Sequence, residues 1–449
     1  MRVLIVSPYP PDRCGIASYT VQVAATLRKE GHQVDVVSPR PSAARYAANC
    51  ARTAGGVLRV LALSRRADRT VVEFFPDLLF QEMRRTRFVR QWPAVALLFA
   101  LGRRLELVVH EAPYRSLVGR TDLRGRIGRA MWRTLLTLPH RTYVHTAWER
   151  QQLVEATGVR ADRIALLGHG DSFLRWAGAD REQARRELGL SPDEYLFLSI
   201  GFLQPHKGFD RAIRALARLD GDRVRLHVVG SVRVNSPDVM AHVDLLRHLA
   251  ATVPGAALHE GYVSDELFDR WIIACDALVL PYRDIWSSGV LERAKLYGRP
   301  AIVSDAGGLV DQADSATRVV RDDDELAAAM AELSGVRLSG PGLRSLAVEA
   351  EVLTYDSALD AMRRRAAALR DHYEPGTTPP DPLRLGGGAT LPPPIVLAAP
   401  PPGRGLRTRV KRAVDKLTRW ELMPLAGRIN EIRDYLAQQE RLREQDGRR

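Results

Sequence analysis

The sequence predicts an α/β chain whose body is two successive doubly wound domains with parallel sheets. Three observations carry this. Short apolar runs alternate with helix-length amphipathic stretches from the first residues onward. Glycines stand where strand-to-helix loops enter their helices, at Gly15, Gly208 and Gly289. A Pro- and Gly-rich stretch, 373–403, then separates this body from a basic tail, 404–449.

The first domain is expected over 1–188. Arg2–Ser7 is a buried strand, and the Pro-rich loop Pro8–Gly15 leads into a helix from Ile16 to about Lys29. Ile16, Tyr19, Val23 and Leu27 fall on one helical face. Val34–Val37 completes a βαβ start. Val71–Phe75 and Leu105–His110 add strands, the second delivering His110 to a carboxyl end, where ligands of such sheets bind. Arg120–Leu138 is a basic amphipathic helix with Leu123, Ile127, Ala130, Met131, Leu135 and Leu138 on one face. Two readings of it stay open: packing on its own domain with a solvated Arg face, or docking on an anionic membrane or lipid acceptor. Arg141–His145 is a strand, Thr146 and Glu149 have capping-box spacing, and Ile164–Leu167 is the last strand. Arg181–Leu188 is a linking helix.

The second domain is expected over 189–354. Leu196–Ile200 is a strand that enters Gly201–Gly208, and a helix runs from Phe209 to about Leu219. Arg225–Val229 ends at Gly230, Leu258–Val263 is a short strand and turn, and Leu267–Ala274 is a helix. The stretch that organises the rest is Leu278–Leu309. Strand Ala277–Leu280 stops at Pro281, a polar loop Arg283–Ser288 follows, and Gly289 precedes a helix over Val290–Tyr297. Gly298 stops that helix, and Pro300–Val303 is the next strand. Arg318–Val320 is the final strand, before a helix that starts with acids at Asp322–Ala329. Tyr355–Leu369 is a further helix. The tail has apolar residues at helical spacing, broken at Pro424. Self-association or a protein partner, membrane-surface binding, and a cap on the body remain alternatives for it, and the linker disfavours the last.

The chemistry lies in the loops. Helix-entry N–H groups at Ser288, Gly289, Val290 and Leu291 are orphan donors suited to a phosphate, and Gly289 allows close approach. Asp284 and Glu292 flank that loop with seven residues between them. Carboxylates there can accept hydrogen bonds from vicinal hydroxyls, so the combination suits a sugar nucleotide. Lys207 stands one residue before a helix-entry glycine, placed for phosphate. Only five of the 66 basic residues are lysines, so a lysine in this loop is informative.

The net charge of +13 implies anionic partners, or a compositional bias toward arginine. No aromatic-interleaved basic strand or recognition helix supports nucleic acid. Cys14, Cys50 and Cys275 have neither pairing nor metal spacing, which fits a reducing compartment. Pro8 and Pro10 cut short any signal-like start. The longest apolar run, Ala94–Leu101, falls far short of the about 20 residues that span a bilayer. A cytoplasmic protein is expected, with the basic helix and tail allowing a peripheral seat on the inner membrane face.

The stretch from Asp284 to Arg293 resembles the donor-site signature of retaining family-4 glycosyltransferases: an acid, seven residues, and a second acid followed by Ala. Here Asp284 stands for the first Glu and Arg293 for the Ala. Gly15 with Gly31-His32, Lys207-Gly208, and Gly168–Asp171 with His169 for an Asn are similar to the same family. The resemblance covers 1 to about 372. It implies the GT-B architecture, two Rossmann-like domains facing across a cleft, with acceptor binding in 1–188 and donor binding in 189–354. A return helix at 355–372 would complete the hinge. It implies a nucleotide diphosphate sugar donor, a hydroxyl acceptor, retention at the anomeric carbon, and no bound metal or other cofactor.

By the same resemblance, Gly15 lies against the diphosphate, Gly230 lines the donor pocket, His110 sits at the reacting sugar, Asp284 holds that sugar and Glu292 the ribose. Lys207 and the 288–291 amides stabilise the leaving diphosphate. Phe202 stands where the family has an arginine, and His206 and Arg283 are nearby replacements for the missing cation. A saccharide or lipid-linked saccharide in cell-surface polysaccharide or glycolipid assembly is the acceptor class that fits. The departures Phe202 and Asp284 also support a second reading, a non-catalytic sugar-nucleotide-binding or scaffold protein.

Overall fold

A computed structural model of the chain describes residues 1–50, 53–76, 102, 105–112 and 122–338. The chain divides into two compact units, Met1–Ala350 and Glu351–Arg449. The return helix 355–372, the linker 373–403 and the tail 404–449 fall in the second and lie outside the described residues.

The first half holds β1 (Arg2–Val6), β2 (Gln33–Ser38), β3 (Tyr46–Ala47), β4 (Arg69–Phe74), β5 (Leu105–Val109), β6 (Arg141–Val144) and β7 (Ile164–Leu166). They form one parallel sheet in the order β3-β2-β1-β4-β5-β6-β7. The order reverses between β1 and β4, so the loops leaving those strands splay apart and open a crevice at their carboxyl ends. Its helices are α1 (Gly15–Lys29), α2 (Ala54–Ser64), α3 (Leu123–Thr137) and α4 (Ala147–Thr157). The expected capping box is present on α4: Thr146 Oγ accepts from the Glu149 N–H, and Glu149 accepts from the Thr146 N–H at 3.0 Å.

The second half holds α5 (Arg181–Glu187), β8 (Tyr195–Ile200), α6 (Phe209–Leu216), β9 (Leu219–Asp220), β10 (Val224–Gly230), α7 (Pro237–Thr252), β11 (Ala256–Glu260), α8 (Asp265–Ala274) and β12 (Ala277–Leu280). It continues with α9 (Gly289–Leu296), β13 (Ala301–Ser304), α10 (Leu309–Gln312), β14 (Thr317–Val320), α11 (Asp323–Ser334) and β15 (Arg337–Leu338). Its main sheet is parallel in the order β11-β10-β8-β12-β13-β14, with β9 and β15 as a small antiparallel pair. The order reverses between β8 and β12. Gly201–Gly208 leaves the first of these strands and Pro281–Ser288 the second, so both expected phosphate loops flank one crevice. Strand β12 is buried at all four positions, as a central parallel strand must be.

Two expectations change. The helix after Lys207 ends at Leu216, because Leu219–Asp220 turns away to pair with β15. In the basic helix α3, Trp132, Leu135 and Leu136 are buried in the first-half core while Ile127 is 49% exposed. The buried stripe is therefore rotated from the expected one, and its last turns pack on their own domain. Helix α5 clusters with Ile273 and Ala274 of α8. This linking helix therefore packs on the second half. No helix among the described residues is long and apolar enough to cross a membrane.

Candidate functional site

The two crevices face each other and enclose a cleft of about 840 Å³. Gly15, His110, Lys207, Gly230, Asp284, Ser288, Gly289 and Val290 all line it, so most of the expected site residues come together. Leu291 and Glu292 are not in its wall. Leu291 is fully buried in the second-half core. The Glu292 carboxylate is held by Lys295 Nζ at 2.9 Å and Gln312 Nε2 at 2.9 Å, and it presses on Gly170.

Helix α9 starts at Gly289 with Ser288 as its cap: Ser288 Oγ accepts from the Leu291 N–H at 3.3 Å. The Ser288 N–H is also used, donating to Gln312 Oε1 at 2.7 Å. Of the four expected donors, Gly289 and Val290 thus keep N–H groups with no protein acceptor among the described residues. Gly208 approaches so closely that a Cβ would lie 2.1 Å from the Pro281 carbonyl oxygen, and its φ is +62°. At Gly230 a Cβ would lie 1.8 Å from the Gly201 oxygen. Only glycine permits either contact, and both hold the loops around the switch point together.

Lys207 places its ammonium 3.9 Å from the centre of the Tyr282 ring. It has no carboxylate partner among the described residues. Burial without an anion lowers it from the usual lysine range to about 7. The site therefore holds a cation that an incoming phosphate would restore to full charge.

A further cation in the cleft wall, Arg233, is one the sequence did not mark. Arg283 makes a bidentate pair with Asp210, at 2.8 and 2.7 Å, and is not in the cleft wall. His206 lines the cleft, but burial and the neighbouring Lys207 lower it to about 4, so it is neutral. Arg233, just beyond β10, lines the cleft with its guanidinium 5.8 Å from the Phe202 ring. The residue that replaces the family arginine thus supports an arginine from the next strand.

On the first-half wall His110 meets Glu73 Oε2 at 2.7 Å and His145 Nε2 at 3.3 Å. His145 stacks on His169 at 4.2 Å, and His169 lies over Gly289 of the opposite half. Cys14 caps α1 beside Gly15, its Sγ accepting from the Ala17 N–H at 3.3 Å. Burial pushes Glu149 up to about 7, against the opposing pull of Ser287 and of the His145 and Thr146 N–H groups.

Several contacts close the cleft. Ser18 Oγ of α1 donates to Asp265 Oδ1 at 2.5 Å. Arg293 joins the same carboxylate at 2.7 Å and Asp269 at 3.1 Å. The arginine in the family's Ala position therefore joins α9 to α8, at the carboxylate that Ser18 of the facing half also binds. The Trp148 N–H donates to Asp311 at 2.6 Å, and the Trp148 and Trp286 rings meet edge to face at 5.8 Å. Trp286 itself packs on the first-half core.

Comparison with known proteins agrees with this architecture. Residues 14–170 match the family described as Glycosyltransferase Family 4, and 194–335 match Glycosyl transferases group 1. Curated relatives include a D-inositol 3-phosphate glycosyltransferase of Nocardia farcinica, 32% identical over 177 residues, covering 38% of each chain. Another, from Thermomonospora curvata, is 34% identical over 184 residues, covering 38% of this chain and 42% of that one. The matches thus span about two fifths of the length of these relatives. Among solved structures, a sucrose-phosphate synthase of Thermosynechococcus elongatus superimposes with a TM-score of 0.55 at 14% identity, covering 83% of this chain and all of that one. The Anabaena protein HepE, solved with UDP-glucose, gives 0.53 at 14%, with the same coverage. With both halves matched and the paired sheets in place, the chain belongs to the family-4 group of glycosyltransferases with the GT-B fold.

Proposed function

We propose that the protein transfers a hexose from a nucleotide diphosphate sugar to a hydroxyl acceptor, with retention at the anomeric carbon and without a bound metal. One observation carries this reading: Lys207, with no carboxylate partner among the described residues, shares the switch-point cleft with Arg233 and the unused Gly289 and Val290 N–H groups. Such fixed donors and cations stabilise charge growing on a leaving diphosphate. Asp284 would hold the donor sugar. Glu292 would take the ribose hydroxyls only by exchanging Lys295 or Gln312. His110 would face the reacting sugar from the other wall. A saccharide or lipid-linked saccharide is the proposed acceptor, with the basic face of α3 meeting an anionic membrane surface. The relatives' names add an inositol phosphate to the acceptors worth testing, and the HepE complex adds UDP-glucose to the donors.

Melting curves against UDP-glucose, ADP-glucose and GDP-mannose test the donor site. Saturation at 100 times the dissociation constant adds about 2.7 kcal/mol of stability. One donor should raise the melting temperature of the native protein and fail to do so in Lys207→Met. No shift with any of them at millimolar concentration would sink the reading. Binding without turnover over an acceptor panel would favour a non-catalytic donor-binding protein.

The pH dependence has a definite sign. Lys207 is at about 7 in the free protein, and a bound phosphate raises it. Binding then takes up a proton above pH 7. Affinity for the nucleotide sugar, whose phosphates are diesters and stay ionised, should fall from pH 7 to 9. Calorimetry in buffers of different ionisation enthalpy should show proton uptake at pH 8.5. A flat profile would remove Lys207 from the binding site.

A further inference from the structure

Glu73, on the central strand β4, is 1% exposed and belongs to none of the motifs above. Its Oε2 lies 2.7 Å from His110 Nε2. The hydrogen positions around His110 follow from its neighbours. His145 Nδ1 lies 3.1 Å from the Leu167 carbonyl oxygen, which can only accept, so Nδ1 carries the hydrogen. Burial, with the neighbouring His110, lowers His145 to about 3, so it is neutral near pH 7 and its Nε2 is a bare acceptor. The 3.3 Å contact from His145 Nε2 to His110 Nδ1 then requires a hydrogen on His110 Nδ1. That leaves His110 Nε2 and Glu73 to share one further proton over 2.7 Å.

We propose that Glu73 is a positioning residue that engages His110 Nε2, so that the ring presents Nδ1–H to the cleft as a charged donor. The two contacts of His110 differ in a useful way. The Glu73 contact is short and charge-assisted, and the His145 contact is long. A substrate oxygen entering the cleft displaces His145 from Nδ1, while Glu73 keeps the ring in place. As negative charge grows on that oxygen, the proton shared with Glu73 stays on the ring and strengthens the Nδ1–H bond. Other ionisable groups face His110: Tyr19 from α1, packed edge to face at 5.0 Å, Glu111 beside it in the chain, His169 at 6.5 Å, and Glu149 of α4.

The ring-charge half of this proposal stands without the transferase reading; the contact with substrate rests on it. The first test is therefore histidine ¹⁵N NMR of the ligand-free protein, with His110 assigned through His110→Gln. Both His110 nitrogens should show the protonated shift at pH 7. In Glu73→Gln the neutral amide no longer supports a charged ring, and with Nδ1 held protonated by His145 it can donate to Nε2, so that nitrogen should become bare while Nδ1 stays protonated. A His110 with a bare Nδ1 in the wild type would overturn the proposal, whether or not the variant folds. The second test is kinetic, once a donor and acceptor are known. Glu73→Gln should lower kcat by about 100-fold and Glu73→Asp should recover part of the loss, with the donor KM moved less than about threefold. An unchanged kcat in a folded Glu73→Gln would also overturn it. Protonated NMR shifts with no turnover of any nucleotide sugar would count against the transferase reading alone.

Discussion

Arg185→Met should cost roughly 3–5 kcal/mol and lower the melting temperature by about 6 °C or more. Arg185 is 1% exposed, yet it is an arginine. Its Nε donates to the Ala274 carbonyl at 2.9 Å, and Nη1 donates to the carbonyls of Ser191, Pro192 and Glu194 at 2.9, 3.0 and 2.8 Å. Its Nη2 donates to Asp276 at 2.6 Å. One guanidinium thus gathers the chain entering β8 and the start of β12. Methionine fills the volume but leaves four carbonyls short of a donor. Arg181 shares Asp276 but is about one third exposed, so Arg181→Ala should cost only about 0–1 kcal/mol. Melting curves of the two variants beside the wild type check this. A loss below about 2 °C for Arg185→Met would show that water replaces the guanidinium.

Lys207→Met should move activity and stability in opposite directions. Losing one preorganised donor to a leaving group costs about 10² to 10³ in turnover. Stability should rise, because the lysine is buried without an anion. Its folded value, about 7, lies below the ordinary lysine value of 10.5, so the folded state disfavours the charged form. That penalty is fully present below pH 7 and fades as pH rises toward 10.5. The methionine variant should therefore melt higher than the wild type at pH 6, with the gap narrowing by pH 9. Lys207→Arg is not expected to restore turnover, since a planar guanidinium stacked on Tyr282 aims its donors differently from the compact ammonium. A less stable Lys207→Met at pH 6 would mean that the lysine is structural. Gains in stability at the expense of function are the expected mark of a binding residue.

Much of the fold was legible because buried parallel strands are nearly continuous apolar runs. Ala277–Leu280 and Tyr195–Ile200 announce themselves in this way. Lys207 was legible by contrast with a chain that otherwise uses arginine. Helix α7 is not among the expected elements, although Val239, Val243, Leu246 and Leu249 form a stripe after Ser236 and Pro237. That signal was present. Other features had none. Cys14 caps α1 although cysteine is no usual cap. Arg233 joins the site because strand β10 ends beside β8, a matter of sheet order. The link from Ser18 to Asp265 spans 247 residues, and Glu73 meets His110 through strand pairing. Local pattern cannot convey contacts made only when strands are side by side. In α3 the apolar residues outnumber those the core can cover, so periodicity alone set the wrong stripe.

Trp286 lies in the loop leaving β12 yet packs on the core of the first half, and the backbone of that loop is pinned where the Gly308 N–H donates to the Trp286 carbonyl at 2.8 Å. The two halves are therefore not interchangeable modules. A chimera that takes its first half from a relative would need a complementary seat for this indole beside Trp148. Without it, both sheets could form while the loop carrying Asp284 and Ser288 lost its support. Exchange of first halves between relatives, in the laboratory or in evolution, would then be limited by the fit of one aromatic side chain.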